Sequence, residues 1–517
     1  MMSIRWRRCG ARLRITNVIS VAAVWFAVGA WPHAQDLAVL RLLERADQLQ
    51  GRGDEVATLR VFEDVVRQFP RDERAPVALL RLAEGRWGLG NADGALLAVG
   101  QLREEYGNSP SAAGTYLLEA RLRLAEAEGP EDLRDVRATL SRVPALFDRN
   151  AYPDSTWRHA SAMRRGRIAL SLGDLDLAAA EFLAIVEDET RSGTTTDAQV
   201  ELANVFALQE QWTSAAEILQ RVVERAPLGD GEAPARERAR RRLSLLHRSV
   251  FRPLVGQNPW TTVRRVQAPG RGFRDPIGVA VADDGRLVVA DEGSDLALAF
   301  DPAGALVATT ATDDLRLPWW APDGEAYVLG RRTVQQPFGE SRSVVFDIPD
   351  DDELDRLEDL RAGARAPFGH WIMLDTDRRQ VVRFDRHGGY LETLIDRRGD
   401  MEIVDVEVDV RGRIWMLDRE NKRVLRVASD GTAEGPVVSG QWRRPEALTV
   451  DALGNVYVLD RDRKTVDVFG PDGISKGTVG PRLPDGTELR SPRDIGVDGA
   501  GLLYVADRDA DTVFILE

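Results

Sequence analysis

Six times in the second half of the chain, a short apolar run ends in the same register: LVVAD (287–291), AYVLG (326–330), WIMLD (371–375), IWMLD (414–418), VYVLD (456–460) and LYVAD (503–507). A glycine stands six residues before each final position, at Gly285, Gly324, Gly369, Gly412, Gly454 and Gly501. Spacings between these glycines are 39, 45, 43, 42 and 47 residues. Nine residues beyond the end position, a further strand-like run closes on Phe300, Phe384, Val427, Phe469 or Leu516, with the second unit divergent. Alternating apolar residues, a tight turn and about 43 residues per unit predict four-stranded blades arranged around an axis.

Three of the units read P-x-x-I/L-x-V-D-x-x-G-x-x-Y-V-x-D or nearly so: Pro276 to Asp291, Pro445 to Asp460 (PEALTVDALGNVYVLD) and Pro492 to Asp507 (PRDIGVDGAGLLYVAD). This pattern resembles the NHL repeat, and the resemblance implies a six-bladed β-propeller over 261–517. Units two and three depart from it, with Gly330 where the others carry Asp and an acidic insertion between them. The sixth unit reaches Glu517 one residue after its third strand. An unpaired sheet edge is a liability, so the strand-like run Thr261 to Gln267 (TTVRRVQ) is expected to complete the sixth blade and close the ring. The Pro- and Gly-containing stretch 251–260 is the expected linker.

From Asp36 to Arg248 the period is helical, as in VFEDVVRQFP (61–70), whose apolar residues recur one, three and four apart. Breakers at Gly53-Asp54, Gly90-Asn91, Gly129-Pro130, Gly173-Asp174 and Glu210-Gln211 lie between amphipathic runs at spacings of 37, 39, 44 and 37. About five helical hairpins over 36–250 follow. Small residues and then a large apolar one come after these turns, as in Ala178, Ala179 and Phe182, or Ala215, Ala216 and Leu219 before Pro227. These units resemble the tetratricopeptide repeat, although they are longer and the third is degenerate. The resemblance implies an α-solenoid with a concave groove for a partner's peptide or helix. The fold class expected is therefore multidomain: an N-terminal α-solenoid and a C-terminal six-bladed β-propeller.

At the N-terminus, Arg5, Arg7, Arg8, Arg12 and Arg14 precede an uncharged apolar run from Val18 to Trp31. That order is the signature of a secretory signal, and the run is shorter than the roughly 20 residues that span a bilayer. Residues 1–34 are expected to be a cleaved bacterial signal peptide, with an uncleaved inner-membrane anchor as the alternative. The mature protein is then periplasmic or secreted, with no stable membrane insertion. Cys9 is the one cysteine and leaves with the signal, so neither disulfides nor zinc thiolates are expected.

A net charge of -14 argues against nucleic acid as a partner. Asp291, Asp375, Asp418, Asp460 and Asp507 recur by register, which places them in separate blades with a structural role, accepting N–H groups at turns. Eight residues before each turn glycine stand Ile277, Arg316, Arg361, Val404, Glu446 and Arg493, followed at the next position by Asp405 and Asp494. If these line the mouth of the axial channel, Arg316, Arg361, Asp405, Glu446, Arg493 and Asp494 form a mixed ring able to hold an anionic or zwitterionic group. Only His370 and His387 occur in the propeller, too few for a three-histidine zinc site. The acidic run Asp347 to Asp359 reads as a solvated helix, and the basic run Arg236 to Arg248 as the polar face of a capping helix. No catalytic residue, metal or cofactor is expected. The sequence points to a non-enzymatic exported scaffold that binds protein partners through the helical groove and the propeller face. Its alternative is a lactonase-like enzyme or a small-ligand or glycan binder that uses the axial channel.

Overall fold

The computed structural model describes residues 34–517, apart from 153–155, 189–192, 228, 252–259, 269, 271, 313, 322–323, 337–342, 345, 351–352, 358 and 397–399. Nearly all of the expected signal segment and of the expected linker lies outside the described residues. Eleven α-helices come first among them: α1 (Ala34–Gly51), α2 (Glu55–Gln68), α3 (Ala75–Gly88), α4 (Ala92–Tyr106), α5 (Ser111–Glu126), α6 (Pro130–Leu146), α7 (Trp157–Ser171), α8 (Leu175–Val186), α9 (Gly193–Leu208), α10 (Trp212–Glu224) and α11 (Ala233–Leu246). No helix among the described residues is long and apolar enough to cross a membrane.

The breaker dipeptides act as a stop followed by a start. Gly53, Gly90 and Gly173 take φ of 75°, 78° and 77°, a left-handed conformation that ends a helix without a Cβ penalty. The next residue then caps the following helix, with the side chains of Asp54, Asn91 and Asp174 accepting the N–H of Ala57, Gly94 and Leu177. The small and large residues after each turn are core: Ala95, Ala178, Phe182 and Ala215 are all fully buried.

The chain forms two compact units. One holds the residues up to Leu124 with Asp135–Ser161, and the other holds Ala125–Arg134 with Ala162–Glu517. The first has a core of Val39, Val65, Leu79, Leu102, Leu118 and their neighbours. In the second, α8 to α11 share a core that includes Leu453 of the propeller.

Two helix glycines respond in opposite ways to the same change. A Cβ on Gly166 in α7 would sit 2.6 Å from the buried Phe182 ring, whereas one on Gly100 in α4 would meet nothing within 4 Å. Gly166→Ala is expected to cost about 1–3 kcal/mol through overpacking. Gly100→Ala should stabilise by about 0.5–1 kcal/mol, by helix propensity. Urea denaturation of both variants checks the pair.

Six four-stranded antiparallel sheets make up the propeller. Their innermost strands are Pro276–Val281, Pro318–Trp320, Leu360–Arg365, Ile403–Val408, Pro445–Val450 and Pro492–Val497, each touching the next around a closed ring. The recurrent glycines occupy the turns between first and second strands, with φ from 71° to 104°. Gly412, Gly454 and Gly501 are preceded there by Asp409, Asp451 and Asp498, whose carboxylates accept two turn N–H groups each. The sixth sheet runs, from outside inward, Val263–Arg265, Thr512–Leu516, Leu503–Asp507, Pro492–Val497. Val263 pairs with Leu516 and Arg265 with Phe514.

One reading of a charged run is corrected. The acidic run is not a helix: Asp347–Asp350 and Glu353–Arg356 pair as an antiparallel hairpin. Phe346 and Ile348 alternate toward a core shared with Trp319, Trp371 and Phe384, so burial with period two outweighs the local charge pattern. The basic run lies on α11, as expected, and two of its arginines find partners on the propeller. Arg241 bonds Asp498 at 3.1 Å and Arg242 bonds Asp283 at 2.5 Å, both on turns between first and second strands. His370, on a third such turn, lies 2.6 Å through Nε2 from the Ala127 carbonyl. One face of the propeller is thus occupied by helices of its own unit.

Candidate functional site at the mouth of the axial channel

The opposite face carries the starts of the innermost strands and, because adjacent strands are antiparallel, the turns between second and third strands. The recurrent aspartates staple these two loops together. Asp460 accepts N–H from Arg443 and Arg444, and Asp507 from Arg490 and Ser491, at 2.6–3.1 Å. Asp291 accepts from Arg274, Asp418 from Glu402, and Asp375 from Arg378 within its own turn. Each carboxylate fixes the height of one loop at the rim.

Glu446 of blade five is the centre of the mouth. Arg361 of blade three donates Nη2 to its Oε1 at 2.9 Å, and Arg419 of blade four donates to Oε2 at 2.7 Å. Arg444 approaches Oε2 at 3.5 Å and Arg461 approaches Oε1 at 4.0 Å. Burial alone would raise the Glu446 carboxyl, but Arg361 and Arg419 override it and hold the group below its ordinary range. Arg493 lies in the same field, held below the usual guanidinium range by burial and by Arg461 and Arg508. Arg316 stands apart, paired with Asp359 at 3.2 Å.

Asp405 and Asp494 do not reach the mouth. Both are clips between blades: Asp405 accepts N–H from Val406 and, at 2.7 Å, from Leu448 of blade five. Asp494 accepts from Ile495 and, at 2.7 Å, from Val279 of blade one. Below the mouth the channel narrows to a cavity of about 90 Å³, lined by all six inner strands and containing Asp405, Glu407 and Asp494. Liquid water takes about 30 Å³ per molecule, and ligand pockets run to about 300–1,000 Å³. That space is enough for a few waters.

Burial pushes Asp405 up to about 7, against the pull of its two N–H donors. Burial first, then the neighbouring Asp405, raises Asp494 well above the carboxylate range. Burial followed by Asp405, Asp494 and Asp409 does the same to Glu407, which borders the channel's own space but lies deep from bulk solvent. An acid raised in the folded state takes up protons that the unfolded chain has released, so its stabilising effect is lost as pH rises. For Asp405 the window runs from 3.8 to about 7. Glu446 acts oppositely, and its contribution disappears as pH falls through its lowered value. The urea midpoint should thus be higher near about pH 5 than near about pH 8, and Glu407→Gln should raise the midpoint at the higher pH and flatten the slope.

Counting positions from the turn glycine did not group Arg419, Arg461 and Arg508, each immediately after a recurrent aspartate, with the mouth, and it passed over Glu407. Their signal was the antiparallel register: Pro445 pairs with Asp460 and Pro492 with Asp507, so the residue after each Asp shares a rim with the strand start. Among the described residues, no three His, Cys, Asp or Glu side chains are grouped to hold a metal ion.

Residues 197–228 match the tetratricopeptide repeat family. They cover α9 from Asp197 and all of α10. No curated protein matches the chain. Solved structures similar to it include a virginiamycin B lyase from Staphylococcus aureus, at 11% identity and TM-score 0.38 over 49% of this chain and 98% of that one. A gluconolactonase from Xanthomonas campestris has 14% identity and TM-score 0.38 over 49% and 99%. A structural-genomics protein of unknown function from Bacteroides thetaiotaomicron has 15% identity and TM-score 0.40 over 51% and 73%. Likeness at this level assigns no activity.

Proposed function

We propose that this chain is an exported, non-enzymatic scaffold of the bacterial envelope, with helical repeats and a propeller face that dock protein partners. Tetratricopeptide-type repeats and propellers both serve commonly as binding surfaces, which supports the coarse reading. The observation that carries it is how the polar groups of the channel are used. Asp405 and Asp494 are tied to backbone N–H groups between blades, and the space beside them is about 90 Å³, which favours surfaces over this part of the channel as the place of function. The helices add exposed apolar side chains, Leu37 on α1, Val77 on α3 and Leu97 on α4, the last 73% exposed.

Export and scaffolding are tested together. Mass spectrometry of the protein from its native envelope should find an N-terminus near residues 31–35. The full mature chain should capture a stoichiometric protein, and a Glu407→Gln variant should capture it equally. A chain retained in the cytoplasm, or capture that fails when Glu407 alone is changed, would overturn the reading.

A further inference from the structure

We propose that the mouth of the axial channel is a binding site for a small doubly charged oxyanion, a phosphate or dicarboxylate group, gripped by Arg461 and Arg493. Three guanidinium groups at the mouth make no hydrogen bond among the described residues: Arg444, which lies 3.5 Å from Glu446 Oε2, Arg461 and Arg493. Arg361 and Arg419 are spent on Glu446 and, for Arg419, on Glu402 at 2.9 Å as well. Their remaining N–H groups are directed too, with Arg361 Nε donating to the Val404 carbonyl at 2.9 Å and Arg419 Nε to that of Pro445 at 3.1 Å. Arg508 is paired with Asp509 at 3.0 Å.

Arg461 and Arg493 differ from these. Among the described residues, neither guanidinium donates a hydrogen bond, and the nearest carboxylate oxygen to Arg461 is 4.0 Å away on Glu446, already held by Arg361. Arg493 Nε is inaccessible to water and has no acceptor. A partly desolvated guanidinium without acceptors is costly, and an oxyanion bound at the solvent-facing N–H groups of Arg461 and Arg493, both half-buried, supplies acceptors there. Each guanidinium is a planar fork that matches two oxygens, so two forks suit a ligand with several oxygens and a charge of about -2. Arg361 and Arg419 are fixed on Glu446, so blades three, four and five are tied together at the mouth. The space below, about 90 Å³, is small for such a ligand, so it sits on the mouth with any organic remainder pointing to solvent. The site is independent of whether a protein partner docks elsewhere.

Isothermal titration of the full chain with inorganic phosphate and with succinate, at low ionic strength and against a chloride control, tests this. The expected result is saturable binding of one anion per chain. Arg461→Ala and Arg493→Ala should each weaken it by about tenfold, the worth of a charge-assisted bond, and the double variant should abolish it. Glu446→Gln removes the competing negative charge and should tighten binding, and Arg493→Lys, which keeps the charge but loses the fork, should fall between. Arg67→Ala, in the other compact unit, should leave it unchanged. Melting curves establish that each variant is folded. The preferred probe tells phosphate from dicarboxylate recognition. Absence of saturable binding with both probes, equal binding by chloride, or a folded double variant that binds like the wild type would overturn the site.

Discussion

Deleting residues 261–267 lowers the melting temperature of the propeller by about 10–20 °C. The strand Val263–Arg265 is the outer edge of blade six, although it lies more than 200 residues before its partner Thr512–Leu516. Thr261 and Thr262 donate N–H to the Glu517 carbonyl at 2.8 and 3.1 Å, Glu517 donates back to Thr262 at 2.9 Å, and Val266 donates to Val513 at 3.0 Å. Each bond is worth about 1 kcal/mol net. Val266 is also buried, packed with Phe273, Val279 and Val513, and contributes about 1.5–3 kcal/mol. A loss of about 5 kcal/mol or more corresponds to about 2–4 °C per kcal/mol in a unit of this size. The deletion also bares the edge of Thr512–Leu516, so aggregation on heating should increase. Val266→Pro, which removes one donor without shortening the connection, should move the curve in the same direction by less. Calorimetry reads both, and a curve unchanged by the deletion contradicts closure by this strand.

Glu446→Ala should destabilise the same unit by about 3 kcal/mol. The Glu446 side chain is only 9% exposed, and it binds guanidinium groups from blades three and four while Arg444 and Arg461 of its own blade stand close. Removing the carboxylate leaves several partly desolvated cations facing one another with no counter-charge. That outcome is worse than never having built the pair, because the desolvation has already occurred. Glu446→Gln keeps an acceptor and should cost less. In a double-mutant cycle with Arg361→Ala, a coupling of about 1 kcal/mol or more is expected, since the two residues join blades that are not sequence neighbours. Additive urea midpoints would show that the contact contributes nothing.

These two sites also mark where the sequence could be read and where it could not. Turn glycines and recurrent aspartates were legible because their roles are local: a positive φ at Gly454 and the N–H groups around Asp460 require little beyond the strand register. The helical hairpins were legible for the same reason, through Gly173 and the cap on Asp174. Partners chosen by tertiary packing were not. Nothing in the acidic run announces that Ile348 enters a core between blades two and three. Nor does the spacing of α11 reveal that Arg241 and Arg242 find Asp498 and Asp283. At the channel, counting positions from the glycine found Arg361, Glu446 and Arg493, but grouped with them Asp405 and Asp494, which lie deeper as clips between blades. Glu446 stands at an irregularity of its strand, where Pro445 pairs with Asp460 and Ala447 with Leu459, and the position of Asp405 lies one residue further in.

Crosslinking mass spectrometry on the full mature chain in its native envelope tests the scaffold claim most directly. Crosslinks to one recurrent protein partner are expected, concentrated on the helical repeats or on the propeller rim, with recovery reduced by Leu97→Glu but untouched by Glu407→Gln. Absence of any recurrent protein partner, together with turnover of a small molecule that Glu407→Gln abolishes, would contradict it.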